Sequence, residues 1–107
     1  MVTSSLNFSS LDPKTFIAMQ EDRKGTLIDI RTPAEYAEHH LHGAINFDFY
    51  SVDFEKQLEN LDKTHPYFIY CRTGSRTNTA MDIMKSLKFQ EVYDMKGGII
   101  AWEVSLN

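Results

Sequence analysis

Tyr67-Phe68-Ile69-Tyr70-Cys71-Arg72-Thr73-Gly74-Ser75-Arg76 is read first, because the rest of the chain can be placed around it. Tyr67 to Tyr70 is apolar and aromatic, as a buried strand requires. This strand delivers the only cysteine of the chain into a turn of small, hydroxyl-bearing and basic residues. Behind the turn, Ala80, Ile83, Met84 and Leu87 recur at helical spacing and read as core. Strand, tight turn and helix in that order make the local unit of an α/β fold. In an open parallel sheet, ligands collect outside the carboxyl ends of the strands, and Cys71 falls at such an end.

Upstream, Thr26 to Ile30 is a second apolar, β-branched run, the pattern of a strand buried on both faces. Asp29 interrupts it. A buried acid is held by specific partners, so Asp29 either ties neighbouring backbone N–H groups or braces a functional loop. Thr32, Pro33 and Glu35 make a capping box with proline at the first helical position, and that helix ends near His39-His40. Asp12 and Pro13 start an earlier helix, with Asp12 as N-cap, running to about Glu21. Residues 1–10 are small and polar and read as a short extended N-terminal arm.

Ala44 to Phe47 is a short strand. Phe54, Leu58 and Leu61 mark the inner face of a helix starting at Ser51. Downstream, Glu91 to Tyr93 is a strand, Lys96-Gly97-Gly98 a turn, and Ile99 to about Ser105 a closing helix with Trp102. Alternating strands and helices predict an α/β fold with a mainly parallel sheet.

A length of 107 residues predicts one domain, residues 1–107. Eleven basic and fifteen acidic side chains leave a net charge of −4, which argues against nucleic acid or a membrane surface as partner. A lone cysteine rules out an internal disulfide framework and fits a reducing, cytoplasmic setting. The first residues show no secretory leader, and no apolar run approaches membrane-spanning length.

The turn after Tyr70 carries the chemistry. If it curls, its backbone N–H groups converge, and the following helix adds the partial positive charge of its N-terminus. With Arg72 and Arg76 flanking, these groups favour a thiolate at Cys71 and make it a candidate nucleophile. Gly74 permits a positive φ, and Thr73 and Ser75 offer hydroxyl donors to an anion. A lone cysteine is more often a small buried hydrophobe. Here strand end, glycine, two arginines and helix start coincide, which favours reactivity. Spacing then separates chemistries. Cysteine-dependent phosphatases use Cys-x5-Arg to wrap a tetrahedral phosphate. Here the arginine comes one residue earlier, and the smaller loop fits a smaller object, such as one sulfur atom. His65 or Asp29 is a conceivable general acid.

With these residues in view, the chain resembles the single-domain rhodaneses. Leu27-Ile28-Asp29-Ile30-Arg31-Thr32-Pro33-Ala34-Glu35-Tyr36 and the following His39 to Asn46 are similar to the family's first motif. Tyr70 to Arg76 resembles its cysteine loop, and Gly97-Gly98-Ile99-Ile100-Ala101-Trp102 its closing motif. The resemblance implies a three-layer α/β/α fold around a mainly parallel five-stranded sheet. It implies a sulfurtransferase in which Cys71 takes a sulfane sulfur from thiosulfate or a similar small anion, forms a persulfide, and passes the sulfur to cyanide, a thiol or a protein. Arg72, Thr73, Gly74, Ser75 and Arg76 would bind the donor and the persulfide. Asp29 and Arg31 would support the site, and Trp102 would pack. No cofactor and no metal is implied. The alternatives are a persulfide carrier or interaction module with little thiosulfate turnover, and a phosphatase or arsenate-type reductase.

Two residues depart from the family pattern. His39 replaces a glycine at a position that often needs a left-handed backbone, and His42 replaces a proline. The His39-His40-Leu41-His42 run lacks the cysteine or carboxylate partners of a zinc site.

Overall fold

Side chains alternate across the strand Tyr67–Tyr70, and its two faces feed two separate cores. The computed structural model describes residues 6–106. In chain order the elements are β1 (Asn7–Leu11), α1 (Pro13–Arg23), β2 (Thr26–Asp29), α2 (Pro33–Glu38), β3 (Ile45–Asn46), α3 (Phe54–Glu59), β4 (Tyr67–Tyr70), α4 (Ser75–Ser86), β5 (Glu91–Met95) and α5 (Gly98–Ser105). The five strands form one sheet ordered β1-β5-β4-β2-β3, with every pairing parallel.

On one face, Tyr67, Ile69 and Cys71 pack with Ile28, Ile30, Phe54, Leu58, Ala80 and Met84, beneath α3 and α4. On the other, Phe68 and Tyr70 pack with Leu27, Phe16, Tyr93, Met95 and Ile99, beneath α1 and α5. Cys71 therefore continues the alternation of β4 one residue past its end. The strand inserts its side chains into both layers, which is why it carries no charged residue. Parallel strands need crossovers, and the helices between them supply these and cover both faces. The result is the expected three-layer α/β/α arrangement.

Several local readings change. The stretch read as an arm contains β1, which pairs with β5 from Asn7 opposite Glu91 to Leu11 opposite Met95. Its short, polar sequence hides an edge strand whose backbone does the pairing; residues 1–5 of the expected arm lie outside the described residues. Asp12 does stand at the N-cap of α1, but its side chain makes no capping bond, and the helix continues to Arg23. The capping box at α2 is present in full: Thr32 Oγ1 accepts from Glu35 N–H, and Glu35 Oε1 accepts from Thr32 N–H. His39 is not left-handed. Its φ is −171°, an extended conformation open to any residue, and Gly43 takes the positive φ of 85° in this connection. The Ser51 segment turns before α3 begins at Phe54, and β5 runs on to Met95. No helix among the described residues is long and apolar enough to cross a membrane.

Candidate functional site

The carboxyl ends of β2, β4 and β5 bring the candidate residues together. At the end of β2, Asp29 is fully buried and bonded on several sides. Its Oδ1 accepts from Arg31 N–H at 2.8 Å, and its Oδ2 accepts from Arg31 Nη2 at 2.8 Å and from the Tyr70 hydroxyl at 2.8 Å. Tyr70 Oη in turn accepts from Leu41 N–H at 3.0 Å, and Arg31 Nη2 donates to the His39 carbonyl at 2.7 Å. Asp29 thus ties together the exit of β2, the loop after α2 and the residue immediately before Cys71. Asp29 makes the backbone bond of the first reading and, through the Tyr70 hydroxyl, also reaches the residue before the cysteine loop. Burial is the main cause that pushes the Tyr70 hydroxyl well above the ordinary phenol range, so it stays a neutral donor.

The opposite wall is the start of α5. Ile99 N–H donates to the Cys71 carbonyl at 2.9 Å and Ile100 N–H to the Arg72 carbonyl at 3.2 Å. A Cβ on Gly98 would lie 2.3 Å from the Arg72 carbonyl oxygen, so only glycine lets the helix come this close. The closing motif and the cysteine loop are therefore one assembly. With those carbonyls held outward, Gly74 N–H points inward and donates to Cys71 Sγ at 3.1 Å. Gly74 has φ 103° and opens α4.

The flanking arginines have different roles. Arg72 is exposed, as are Thr73 and Ser75. Arg76 is engaged by Glu35: its Nη1 donates to Oε1 at 2.8 Å and its Nη2 to Oε2 at 3.1 Å. That fork pulls Glu35 down to about 2. Arg76 is held above its ordinary range first by the Glu35 hydrogen bond, and the charge of Cys71 adds to it. The Nη1 and Nη2 donors of Arg76 thus serve Glu35. Sequence reading did not name Glu35 as a site residue, since a capping role already accounted for it.

Two further residues were not anticipated. Thr77 and Asp94 are buried beside Cys71. Thr77 Oγ1 lies 3.8 Å from Cys71 Sγ, 3.0 Å from the Gly74 carbonyl and 2.9 Å from Asp94 Oδ2. The only available signal was an acid inside the apolar run of β5. Neither candidate general acid serves. His65 bonds Thr26 Oγ1 at the amino end of β2, across the sheet from Cys71, and Asp29 is saturated by its own partners. The histidine run is dispersed: His40 stacks on Tyr36 at 3.7 Å, and His39 faces Glu103 at 3.3 Å.

A cleft of about 350 Å³ borders the loop, lined by Thr73, Gly74, Ser75, Asn78, Asp94 and Lys96 among others. Lys96 is exposed there. A more apolar cleft of about 240 Å³, with Ile17 and Trp102 in its wall, lies between α1 and the carboxyl half of α5, whereas Cys71 meets the amino end of that helix.

The model of the Rhodanese-like domain family matches residues 12–105. The chain belongs to the rhodanese-like family. As a rhodanese-like sulfurtransferase-family chain, it is 33% identical to a sulfurtransferase of Allochromatium vinosum over 71% of this chain and 69% of the other. It is 27% identical to the thiosulfate sulfurtransferase GlpE of Pseudomonas putida over 92% of this chain and 87% of that one. Other curated relatives are much longer, and the chain spans 30% of one and 21% of another. The rhodanese-related protein of Thermoplasma volcanium superposes with a TM-score of 0.78 at 21% identity, covering 91% of this chain and 92% of that chain, a likeness of fold.

Proposed function

We propose that this rhodanese-like chain moves a sulfane sulfur through a persulfide on Cys71, with thiosulfate or a similar small anion as donor and a thiol, a protein or, in an assay, cyanide as acceptor. The Cys71 thiolate attacks the outer sulfur of thiosulfate. A sulfur–sulfur bond forms to Cys71, the bond to the sulfonate sulfur breaks, and sulfite leaves with the electron pair. The acceptor then attacks the outer sulfur of the persulfide, and the Cys71 thiolate is released. The observation that carries this reading is the Gly74 N–H at 3.1 Å from Cys71 Sγ inside a Cys-x4-Arg loop, too short for a phosphate wrap and sized for sulfur. Similarity to a thiosulfate sulfurtransferase along nearly the whole chain supports the donor. We assign Arg72, Thr73, Gly74 and Ser75 to donor binding, Arg76 to the field at Cys71, and Asp29 and Arg31 to bracing. A free thiol of this kind suits a reducing compartment such as the cytoplasm.

The test is mass spectrometry of the protein after thiosulfate treatment, together with thiocyanate production from cyanide. A gain of one sulfur that Cys71→Ser abolishes is the expected result. Retained thiocyanate production in Cys71→Ser would overturn the mechanism.

One observation favours a second reading, a persulfide carrier fed by another protein. Cys71 is fully buried and the guanidinium of Arg76 is taken up by Glu35, which leaves Arg72 as the exposed arginine of the loop. Near-zero thiosulfate turnover with ready loading from a protein persulfide would select the carrier.

A further inference from the structure

The cleft beside the cysteine loop lies where two neighbouring strands send the chain in different directions. β4 and β5 pair side by side. The helix after β4 covers the face of Ala80 and Met84, and the helix after β5 covers the face of Ile99. Such a divergence opens a crevice outside the carboxyl ends, where open parallel sheets take ligands. Thr73, Gly74 and Ser75 line the crevice from one side, and Asp94, Lys96 and Gly97 from the other. Its volume of about 350 Å³ suits a small molecule. Gly74 N–H also donates to Cys71 Sγ, so whatever fills the crevice lies against the loop that holds the thiol.

The lining has two unmet demands. Asp94 is 2% exposed; its Oδ2 is engaged by Thr77 Oγ1 at 2.9 Å, and its Oδ1 has no hydrogen-bond partner. A buried oxygen left without a donor is costly, and a ligand N–H would satisfy it. Lys96, two residues on, lines the same crevice and is exposed, yet among the described residues it joins no ion pair, with Asp94 or with any other acid. The start of α4, a helix of 12 residues, brings the partial positive charge of its amino end to the same crevice. The crevice thus calls for a hydrogen-bond donor and an anion together, and an α-amino acid carries both on one carbon.

We propose that this crevice holds the sulfur acceptor, a small thiol with an α-amino acid head, as in free cysteine. Its ammonium donates to Asp94 Oδ1, its carboxylate lies by Lys96 and the start of α4, and its thiol is directed at the cysteine loop. This rests on the sulfur-transfer reading of Cys71 and names the acceptor for it. The acceptor thiolate attacks the outer sulfur of the Cys71 persulfide. A sulfur–sulfur bond forms to the acceptor, the bond to Cys71 Sγ breaks, and its electron pair returns to Cys71. The acceptor leaves as its own persulfide. Sulfite has departed before the acceptor enters, so donor and acceptor use the loop in turn.

Binding is tested first, apart from any transfer. S-methyl-L-cysteine, whose sulfur is blocked, is titrated into the protein while backbone amide signals are followed by NMR. Saturable shifts at Ser75, Asn78 and Lys96 are expected, with a Kd on the order of 1 mM for so small a ligand. 2-(Methylthio)ethylamine, which lacks the carboxylate, and 3-(methylthio)propionate, which lacks the amine, are expected to bind more weakly. No saturable shift, or equal binding of all three, would overturn the proposal.

Transfer is tested next. Cys71 is loaded with sulfur from thiosulfate, freed of donor, and mixed with cysteine, cysteamine, 3-mercaptopropionate or 2-mercaptoethanol. Each thiol's rate in a variant is divided by its rate in the parent, and then by the same ratio for 2-mercaptoethanol, which has neither group; this removes any change in Cys71 itself. Lys96→Ala, a surface change, is expected to slow cysteine and 3-mercaptopropionate about threefold more than cysteamine at low salt. Asp94→Ala, which removes the acceptor oxygen altogether, is expected to slow cysteine and cysteamine about tenfold more than 3-mercaptopropionate. If both variants slow all four thiols alike, the crevice does not hold the acceptor. If S-methyl-L-cysteine binds as expected but thiosulfate leaves no sulfur on Cys71, the crevice site stands and the donor assignment falls.

Discussion

Arg76 and Glu35, separated by 41 residues, meet in a two-pronged ion pair of 2.8 and 3.1 Å that joins the start of α4 to the start of α2. The pair closes the cysteine loop against the first motif. Its guanidinium also lies 5.6 Å from the centre of the Tyr50 ring. A residue expected to bind the donor is therefore first a fastener, and its mutation will mix stability with activity.

The fastener has a pH signature. Glu35 is lowered to about 2 from an ordinary 4.5, first by the Arg76 hydrogen bond. A carboxylate depressed on folding stabilises fully above its unfolded value, and that stability drains away as pH falls from 4.5 towards 2. Glu35→Gln is expected to cost about 1–2 kcal/mol at pH 7, allowing for partial exposure of the pair. In urea titrations at stepped pH, the gap between parent and variant should narrow below pH 4.5. A gap independent of pH would remove the ion pair from the account.

Gly98→Ala and Gly43→Ala form a matched contrast. Both glycines have positive φ, 65° and 85°. A Cβ at Gly98 meets the Arg72 carbonyl oxygen at 2.3 Å, while nothing lies within 4 Å of one at Gly43. Gly43→Ala should cost about 1–2 kcal/mol, the price of a left-handed alanine alone. Gly98→Ala should cost about 3 kcal/mol or more and displace the cysteine loop. Equal urea midpoints for the two would show that the α5 clamp is not tight.

Tyr70→Phe removes a donor to Asp29 and strands the buried Leu41 N–H. A loss of about 1–3 kcal/mol is expected. Because burial raises the Tyr70 phenol from its ordinary 10.0, its contribution is complete below pH 10 and falls as pH rises beyond that, where the unfolded chain ionises first. The parent should therefore lose stability above pH 10 more steeply than Tyr70→Phe, as read by unfolding at pH 9 to about 11.

Lys96 is an exposed cation beside the loop, whereas the Arg76 guanidinium is taken up by Glu35. It lines the cleft beside Thr73 to Ser75 and is exposed. Lys96→Ala and Arg72→Ala are each expected to raise the KM for thiosulfate by about threefold at low salt, with kcat less affected and the effect shrinking as salt rises. An unchanged KM in both would assign donor recognition to the backbone and hydroxyls.

Legibility differs with the range of the interaction. The parallel α/β order was readable because burial on both faces makes Tyr67 to Tyr70 continuously apolar and leaves Asp29 as the one break in Leu27 to Ile30. The capping box at Thr32 was readable because its partners are three residues apart. β1 was not, because Asn7 to Leu11 carries few apolar residues, and its place follows from backbone pairing with β5. His39 was misjudged because a helix end does not fix the conformation of the residue after it; Arg31 and Glu103 meet that residue from elsewhere in the fold.

The sequence by itself determined that a lone thiol ends a buried strand, that glycine follows it in a loop with Cys-x4-Arg spacing, and that a helix begins behind. These are local facts, carried by side-chain periodicity and the steric freedom of glycine. Only the tertiary structure decided what each charged group near Cys71 does. Arg76 went to Glu35, Arg31 to Asp29, and Asp94 to Thr77. Such pairings depend on strand order and register, which bring distant residues within hydrogen-bond reach, and on burial, which makes an unpaired polar group costly.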